Sequence, residues 1–382
     1  MDFSALRRWP DIEAENLFAV DASDRLILDE AADALAAATA NEVVVIGDRH
    51  GALTLGALDL VADGGADAGG IRVHQDALSG ALALASNAQA FGLENDYRSI
   101  ALGVEKHSRE LLAGARVVLL QLPRGLDALD EIAAAIAAHA DPDVVVVAGG
   151  RIKHMTPAMN EVLGEHFALV EASLARQKSR VLRVRGPRHD VVGGWPRTQQ
   201  HPDLGIVVAA HGGAFAGTSV DIGTRFLLGH LAEAALGART AIDLGCGTGV
   251  LATSLAMHRP GLHVLASDQS AAAVASAWDT ALANGVGEQV KVVRDDGLSR
   301  QPDGSAELIV LNPPFHVGAA VHTGIALKLF EHAARVLAPG GELWCVWNSH
   351  LAYTPALRSI IGPTRQVARN TKFTITASTR AQ

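Results

Sequence analysis

The sequence predicts an α/β protein made of two tandem open-sheet domains. Three observations carry that expectation: the length of 382 residues, the alternation of short apolar runs with amphipathic stretches, and a rhythm in the first half that returns in the second. A single hydrophobic core stops growing at about 250–300 residues, so this length favours two cores of ordinary size. Apolar residues make up 49% of the chain, yet no uninterrupted run approaches the ~20 that a bilayer-spanning helix needs. Met1 to Arg8 lack the apolar core and cleavage site of an export signal. A cytoplasmic protein with no membrane partner is therefore expected.

In the second half each apolar run ends in Gly or Asp and leads into an amphipathic stretch, which implies a parallel sheet. Candidate strands are Ala241 to Leu244, His263 to Ala266, Val290 to Val293, Leu308 to Leu311, Glu342 to Trp347 and Phe373 to Ala377. Helices are expected over Val250 to Met257, Ala271 to Asn284 and Ile325 to Leu337, the last stopped by Pro339-Gly340-Gly341. Leu204 to Ala210 reads as extended, and Ser219 to Ala234 as an amphipathic helix entering the first of these strands.

The first half repeats the pattern. Val43 to Gly47 resembles Ala241 to Gly245, Ile71 to His74 resembles the second strand, and Val117 to Leu122 resembles the fourth. Gly47 to Pro123 spans 76 residues and Gly245 to Pro314 spans 69, a match that points to internal duplication. Two unrelated open α/β sheets remain the alternative. Turn-rich, weakly apolar sequence from Gly186 to Arg197 reads as the connector, which sets domains at 1–190 and 191–382.

Charge divides the same way. Residues 1–175 hold 12 Lys+Arg against 27 Asp+Glu, net −15, and residues 176–382 hold 20 against 14, net +6, so a polyanion is expected mainly on the second half and the junction. Cys246 and Cys345 lack metal-ligand or redox spacing, which predicts two reduced thiols and no metal.

The strongest motif is Asp243-Leu244-Gly245-Cys246-Gly247-Thr248-Gly249, a strand ending in an acid and opening into a glycine-rich turn before a helix. Open α/β sheets bind ligands at such carboxyl ends; alone, the turn serves strand-to-helix packing as readily. One βα unit later comes Asp268-Gln269, where a carboxylate can accept from two ribose hydroxyls. Asp295-Asp296-Gly297 follows the third strand, placed to read an adenine edge. The structural alternatives are a helix cap at Asp268 and a turn at Asp295 or Asp296. Asp243 suits a sulfonium and an ammonium and repels a pyrophosphate, which favours S-adenosylmethionine over a dinucleotide.

Asn312-Pro313-Pro314-Phe315 ends the fourth candidate strand and sets the chemistry. An exocyclic amine is a poor nucleophile because its lone pair is delocalised. The Asn312 side-chain oxygen and the Pro313 carbonyl can each accept one N–H bond and steer that lone pair towards a methyl group. As nitrogen gains positive charge both bonds strengthen, the differential binding that catalysis needs. Pro313 and Pro314 stiffen the loop, and Phe315 offers a face to an unstacked base. An isolated Asn-Pro is more often only a turn.

With these residues in place, the chain resembles the RlmG/RsmC family of ribosomal RNA guanine-N2 methyltransferases. The similarity rests on Asp221 to Phe226, Asp243 to Gly249, Asn312 to His316, Asn348 to Tyr353 and Asn370 to Phe373, the last two favouring the large-subunit branch. Asp48 to Leu53 and Gln121 to Arg124 extend it, more weakly, into the first half. The resemblance implies two Rossmann-like methyltransferase domains, the N-terminal one degenerate and without catalysis, with ribosomal RNA as partner. The residues agree with that loss: Val45 stands where Asp243 stands, Arg49 in place of Gly247, and Gln121-Leu122-Pro123 in place of Asn312-Pro313-Pro314.

For RNA, the acid-free run from Arg176 to Arg188 offers Arg180, Arg183 and Arg185, the last two on one face of an extended segment, and Lys372 is a further candidate. A charge-protected edge strand is the structural alternative. Asn-Pro-Pro-aromatic loops also serve protein glutamine N5 and nucleic-acid adenine N6 methylation. A non-catalytic RNA-binding assembly factor is the reading from another class.

Overall fold

The structure, a computed structural model, describes residues 1–11, 13–15, 17–62, 69–189, 193–314 and 319–381. It divides into two compact units, Met1–Trp195 with His211–Gly213, and Pro196–Ala210 with Ala214–Gln382.

The first unit holds one sheet of β1 (Val43–Ile46), β2 (Ile71–His74), β3 (Tyr97–Ser99), β4 (Val117–Gln121), β5 (Val145–Arg151), β6 (Phe167–Ala172) and β7 (Ser179–Pro187). Their order is β3-β2-β1-β4-β5-β7-β6. In the second unit β8 (Arg197–His201) and β9 (Ile206–Ala210) form an antiparallel pair. Its main sheet comprises β10 (Thr240–Leu244), β11 (His263–Asp268), β12 (Val290–Arg294), β13 (Ala306–Leu311), β14 (Leu337–Asn348), β15 (Thr364–Arg369) and β16 (Phe373–Thr379), in the order β12-β11-β10-β13-β14-β16-β15. The two orders are the same. In each sheet the first five strands in this order run parallel, and the sixth, β7 or β16, pairs antiparallel with the neighbour on either side.

Burial explains why the central strands are apolar without alternation. Val43 and Val45 of β1 enter one core and Val44 and Ile46 the other, and Leu308 and Val310 of β13 face away from Ile309 and Leu311 in the same manner. A sheet covered on both faces favours near-continuous apolar runs in its strands. The strand order reverses between the first and fourth strands of each sheet, and the crevice there is where such folds hold ligands.

Several expectations need correction. The helix expected over residues 219–234 is two pieces, Ile222–Leu228 and a short 3-10 turn at Leu231–Glu233. The break has a local cause: the His230 amide bonds to the Leu227 carbonyl, and its ring Nδ1 lies 3.0 Å from the Phe226 carbonyl that the next helical turn needs. The helix before Pro339-Gly340-Gly341 runs Ala319–Val336 and ends one residue short of the expected Leu337, but the three residues lie inside β14 and do not form a turn after the helix. A Cβ on Gly341 would lie 3.0–3.1 Å from three carbonyl oxygens, those of Ala338, Ala306 and Glu307, a tight fit that favours glycine in the strand there. The run holding Arg180, Arg183 and Arg185 is extended as expected, but β7 is hydrogen-bonded on both sides and is no edge strand. The sequence pattern did not reveal the edge strand β15, none of whose residues is buried and which carries little apolar periodicity, or the helix Thr354–Ile360, which is only seven residues long.

Candidate functional site

The glycine turn begins where β10 ends. Leu244 is in register with Ser267 of β11 on one side and Leu311 of β13 on the other, so Gly245, Asp268 and Asn312 all emerge at neighbouring carboxyl ends. The Gly245 and Cys246 amides donate to the Ser267 carbonyl at 2.8 and 3.0 Å, folding the turn over β11. Gly245, Gly247 and Gly249 have φ of +70°, +52° and +73°, a region that costs other residues strain. Their roles differ. A Cβ on Gly249 would fall 2.8 Å from that of Ala277, so this glycine permits helix packing, whereas a Cβ on Gly245 or Gly247 would meet nothing within 4 Å. The open space lies over the first two glycines. Cys246 and Thr248 are buried, and burial pushes the Cys246 thiol well above its usual range, with Asp268 and Asp243 adding to the effect.

Asp243 is buried; its Oδ2 accepts from the Ala252 amide at 2.9 Å, and its Oδ1 has no partner. Burial pushes the carboxyl up to about 7; the Ala252 bond opposes this, and the charge of Asp268 adds to it. A buried acceptor left without a donor is costly, and a cation beside it would restore both its charge and its bonding. That fits a sulfonium and ammonium ligand better than a phosphate.

Asp268 is already engaged: its Oδ2 accepts from Gly247 N at 3.0 Å and its Oδ1 from Ser270 N at 2.9 Å. It thus ties the glycine turn to the start of the helix Ala271–Ala283, whose cap is Ser270. Gln269 is exposed, and its carbonyl accepts from Arg294 Nε. Asp295 is committed to its own turn, accepting from the Ser299 hydroxyl at 2.6 Å, the Arg300 amide at 3.1 Å and Gln301 Nε2 at 3.3 Å. Burial raises that carboxyl, but these bonds outweigh it and hold it below the usual range. Of the acidic pair, Asp296 is the more accessible, and it pairs with Lys328 at 2.6 Å. Gly297 has φ +65° beneath His332, and its carbonyl accepts from the Ser267 hydroxyl.

Asn312 carries the other half of the site. Its Nδ2 donates to Asp221 Oδ2 and to Thr224 Oγ1, each at 3.0 Å. Both amide hydrogens are consumed, so the side chain is fixed with Oδ1 as its remaining group, and that oxygen is buried without a partner. An acceptor so placed awaits a donor. Pro313 is buried and Pro314 exposed; Phe315 lies outside the described residues, as does His316. Asp221 and Thr224, at the start of the helix Ile222–Leu228, had no role assigned from sequence. The signal was an acid before a helical run, where a cap is the ordinary explanation.

The first unit supplies the contrast. Register places Gln121 beside Gly47 as Asn312 stands beside Gly245. Gln121 Nε2 donates to the Ser23 hydroxyl at 2.9 Å, but a Cβ on Gly47 would lie 3.1 Å from the Gln121 carbonyl, where Gly245 has open space. Asp48 accepts from Gly51 N and Thr54 N, which spends it on the following helix.

The candidate RNA contacts are divided between the units, Arg180, Arg183 and Arg185 in the first and Lys372 in the second. Arg183 is paired with Glu30 at 2.6 Å and stands opposite Glu171. Arg180 and Arg185 are exposed, and among the described residues neither forms an ion pair. Lys372 is exposed, its ammonium 5.2 Å from the Phe373 ring centroid.

Gly249→Ala should destabilise the second unit by ~2–4 kcal/mol, since it combines left-handed strain with overpacking on Ala277. Gly247→Ala should cost only ~1–2 kcal/mol, from strain alone. Urea denaturation of both variants checks the order, and equal losses would contradict the division of roles between these glycines.

Residues 2–188 match the RLMG N-terminal domain and residues 205–377 the methyltransferase small domain. The chain is 34% identical over 390 residues to the ribosomal RNA large subunit methyltransferase G of Streptomyces avermitilis, covering 97% of this chain and 95% of that protein. It is 34% identical over 376 residues to the protein of the same name from Pseudomonas fluorescens, covering 97% and 96%. Among solved structures, the T. thermophilus 16S rRNA N2 G1207 methyltransferase (RsmC) in complex with AdoMet and guanosine matches over 97% of both chains, with a TM-score of 0.70 and 21% identity, a likeness of fold.

Proposed function

The chain belongs to the ribosomal RNA large subunit methyltransferase G family, and we propose that it transfers a methyl group from S-adenosylmethionine to the exocyclic N2 amine of a guanine in ribosomal RNA. The observation that carries this reading is the buried, unpartnered Oδ1 of Asn312, fixed by two hydrogen bonds at the strand end beside the open glycine turn. Bound S-adenosylmethionine supplies an electrophilic methyl group. Asn312 accepts one amine hydrogen, and the neighbouring Pro313 carbonyl is the second acceptor. Together they turn the amine lone pair towards the incoming carbon and stabilise the charge that grows on nitrogen. The nitrogen–carbon bond forms as the carbon–sulfur bond breaks, and the amine, made acidic by methylation, releases its proton to water.

Asp243, Asp268 and Asp296 with the 245–249 turn form the cofactor cradle in this reading. Asp295 supports it by holding the third-strand loop. Arg180, Arg185 and Lys372 meet RNA phosphates, while Arg183 is neutralised in part by Glu30. The first domain, about 1–190, positions RNA and binds no cofactor, in keeping with the closed turn at Gly47. Among the described residues no helix is long and apolar enough to cross a membrane, and an rRNA substrate is in keeping with a cytoplasmic protein.

Incubation with labelled cofactor and ribosomal RNA, followed by nucleoside mass spectrometry, is expected to show N2-methylguanosine. Label in adenine or in a protein would replace this acceptor. Asn312→Ala should lower kcat by roughly a hundred- to thousandfold while cofactor affinity stays within a factor of two or so, because the lost bond matters most in the transition state. Unaltered kcat would remove the mechanism.

Cofactor binding favours ionised Asp243, whose carboxyl sits at about 7 in the free protein. Affinity should therefore weaken about tenfold between pH 8 and pH 6, as the acid takes up its proton, and Asp243→Asn should flatten the profile. Calorimetry across that range tests both expectations. The same titrations should find one equivalent of cofactor per chain, and a second would show that the first domain kept its site.

A further inference from the structure

Resting on the reading that the acceptor is a guanine amine, we propose that Asp221 is a specificity-determining residue whose second carboxylate oxygen accepts the guanine N1–H. All three bonds to Asp221 use Oδ2, from Gly223 N at 2.8 Å, Thr224 N at 3.2 Å and Asn312 Nδ2 at 3.0 Å. Oδ1 takes none among the described residues, and the residue is only partly buried. A carboxylate has about four lone-pair sites, so one whole oxygen is left to a ligand.

Gly223 places this carboxylate beside the acceptor that receives the amine. A Cβ there would lie 3.0 Å from Asp221 Oδ2 and 3.4 Å from Asn312 Oδ1, so a residue without a side chain separates two acceptor-bearing groups. Two adjacent acceptors call for two adjacent donors. Guanine presents N1–H next to its N2 amine. Adenine and cytosine set a ring nitrogen lone pair beside the amine, which would face the carboxylate with like polarity, and uracil has no amine. A glutamine side chain offers an amide nitrogen but no second donor next to it. The charge helps the reaction as well as the choice: positive charge developing on N2 spreads through C2 to N1, and an anion at N1–H is favoured more strongly as transfer proceeds.

The test replaces the methylated guanosine, once mapped, by 2-aminopurine in large-subunit RNA assembled by ligation. That base keeps the 2-amine and lacks the N1–H. The wild-type protein should use it with kcat/KM lower by roughly a hundredfold, the scale of a site that loses a hydrogen-bonded partner and faces a lone pair instead. Asp221→Asn keeps an oxygen for the helix and Asn312 and offers an NH₂ group to the bare N1, so the guanosine-to-2-aminopurine ratio should collapse by tenfold or more. Thr224→Val loosens Asn312 without touching the carboxylate and should slow both substrates alike, leaving the ratio unchanged. For a variant too slow to assay, 2-aminopurine fluorescence on binding, with guanosine RNA as competitor, supplies the same ratio. Equal use of both bases by the wild type, or a ratio unmoved by Asp221→Asn, overturns the assignment while guanine methylation stands. No methylation of guanosine by the wild type removes the acceptor reading and this inference with it.

Discussion

The site depends on the direction in which one amide points. Asn312 has a donor end and an acceptor end of nearly the same shape, and only the acceptor end can hold an amine. Asp221 and Thr224 resolve that ambiguity by taking both hydrogens of Nδ2, which leaves Oδ1 facing inwards with nothing to bind. In the proposed reaction, an amide fixed in advance would need no reorganisation as charge develops on the substrate, and such preorganisation is a large term in electrostatic catalysis. The helix Ile222–Leu228 is short, yet it starts at the residue that holds this orientation.

The two units show what the same topology does when that constraint is released. Both have the strand order in which the first strand is flanked by the second and the fourth, and in both a side-chain amide stands at the end of the fourth. In the first unit Gln121 bonds to Ser23, the Gly47 turn closes on the Gln121 backbone, and Asp48 serves its own helix. Gln121 Oε1 is buried without a partner, as Asn312 Oδ1 is, but the turn beside it has no open space for a ligand. Loss of the open turn and loss of the waiting acids go together, since a buried acid without a ligand costs stability.

The second unit bears that cost. Asp243 keeps a bare oxygen and a carboxyl pushed up to about 7. Such a group in a well-packed core is unfavourable unless a bound cation repays it, so the strain marks the place where one fits. Asp295 shows the opposite arrangement. It has as many acceptor sites as Asp243, but three donors of its own turn satisfy it. Sequence position alone does not distinguish the two.

Much was determined by the sequence alone. The strands β10, β11 and β13, the glycine turn and the Asn312 loop were legible because a buried parallel strand is largely apolar and a tight turn favours glycine, and β12 and β16 because each holds a short apolar run, all of them features that act within a few residues. The repeat of Gly47 to Pro123 in Gly245 to Pro314 was legible for the same reason, and register bears out the correspondence of Gln121 with Asn312. What the tertiary structure decided involves partners far apart in the chain. The interior place of β7, the passage of Gly341 between carbonyls, the commitment of Asp295 and the pairing of Arg183 with Glu30 all depend on neighbours that local pattern does not specify. The separation of Asn312 from Asp221 is 91 residues. A hydrogen bond across that distance leaves no periodicity, so an acid that reads as an ordinary helix cap is seen to orient the amide only when the chain is folded.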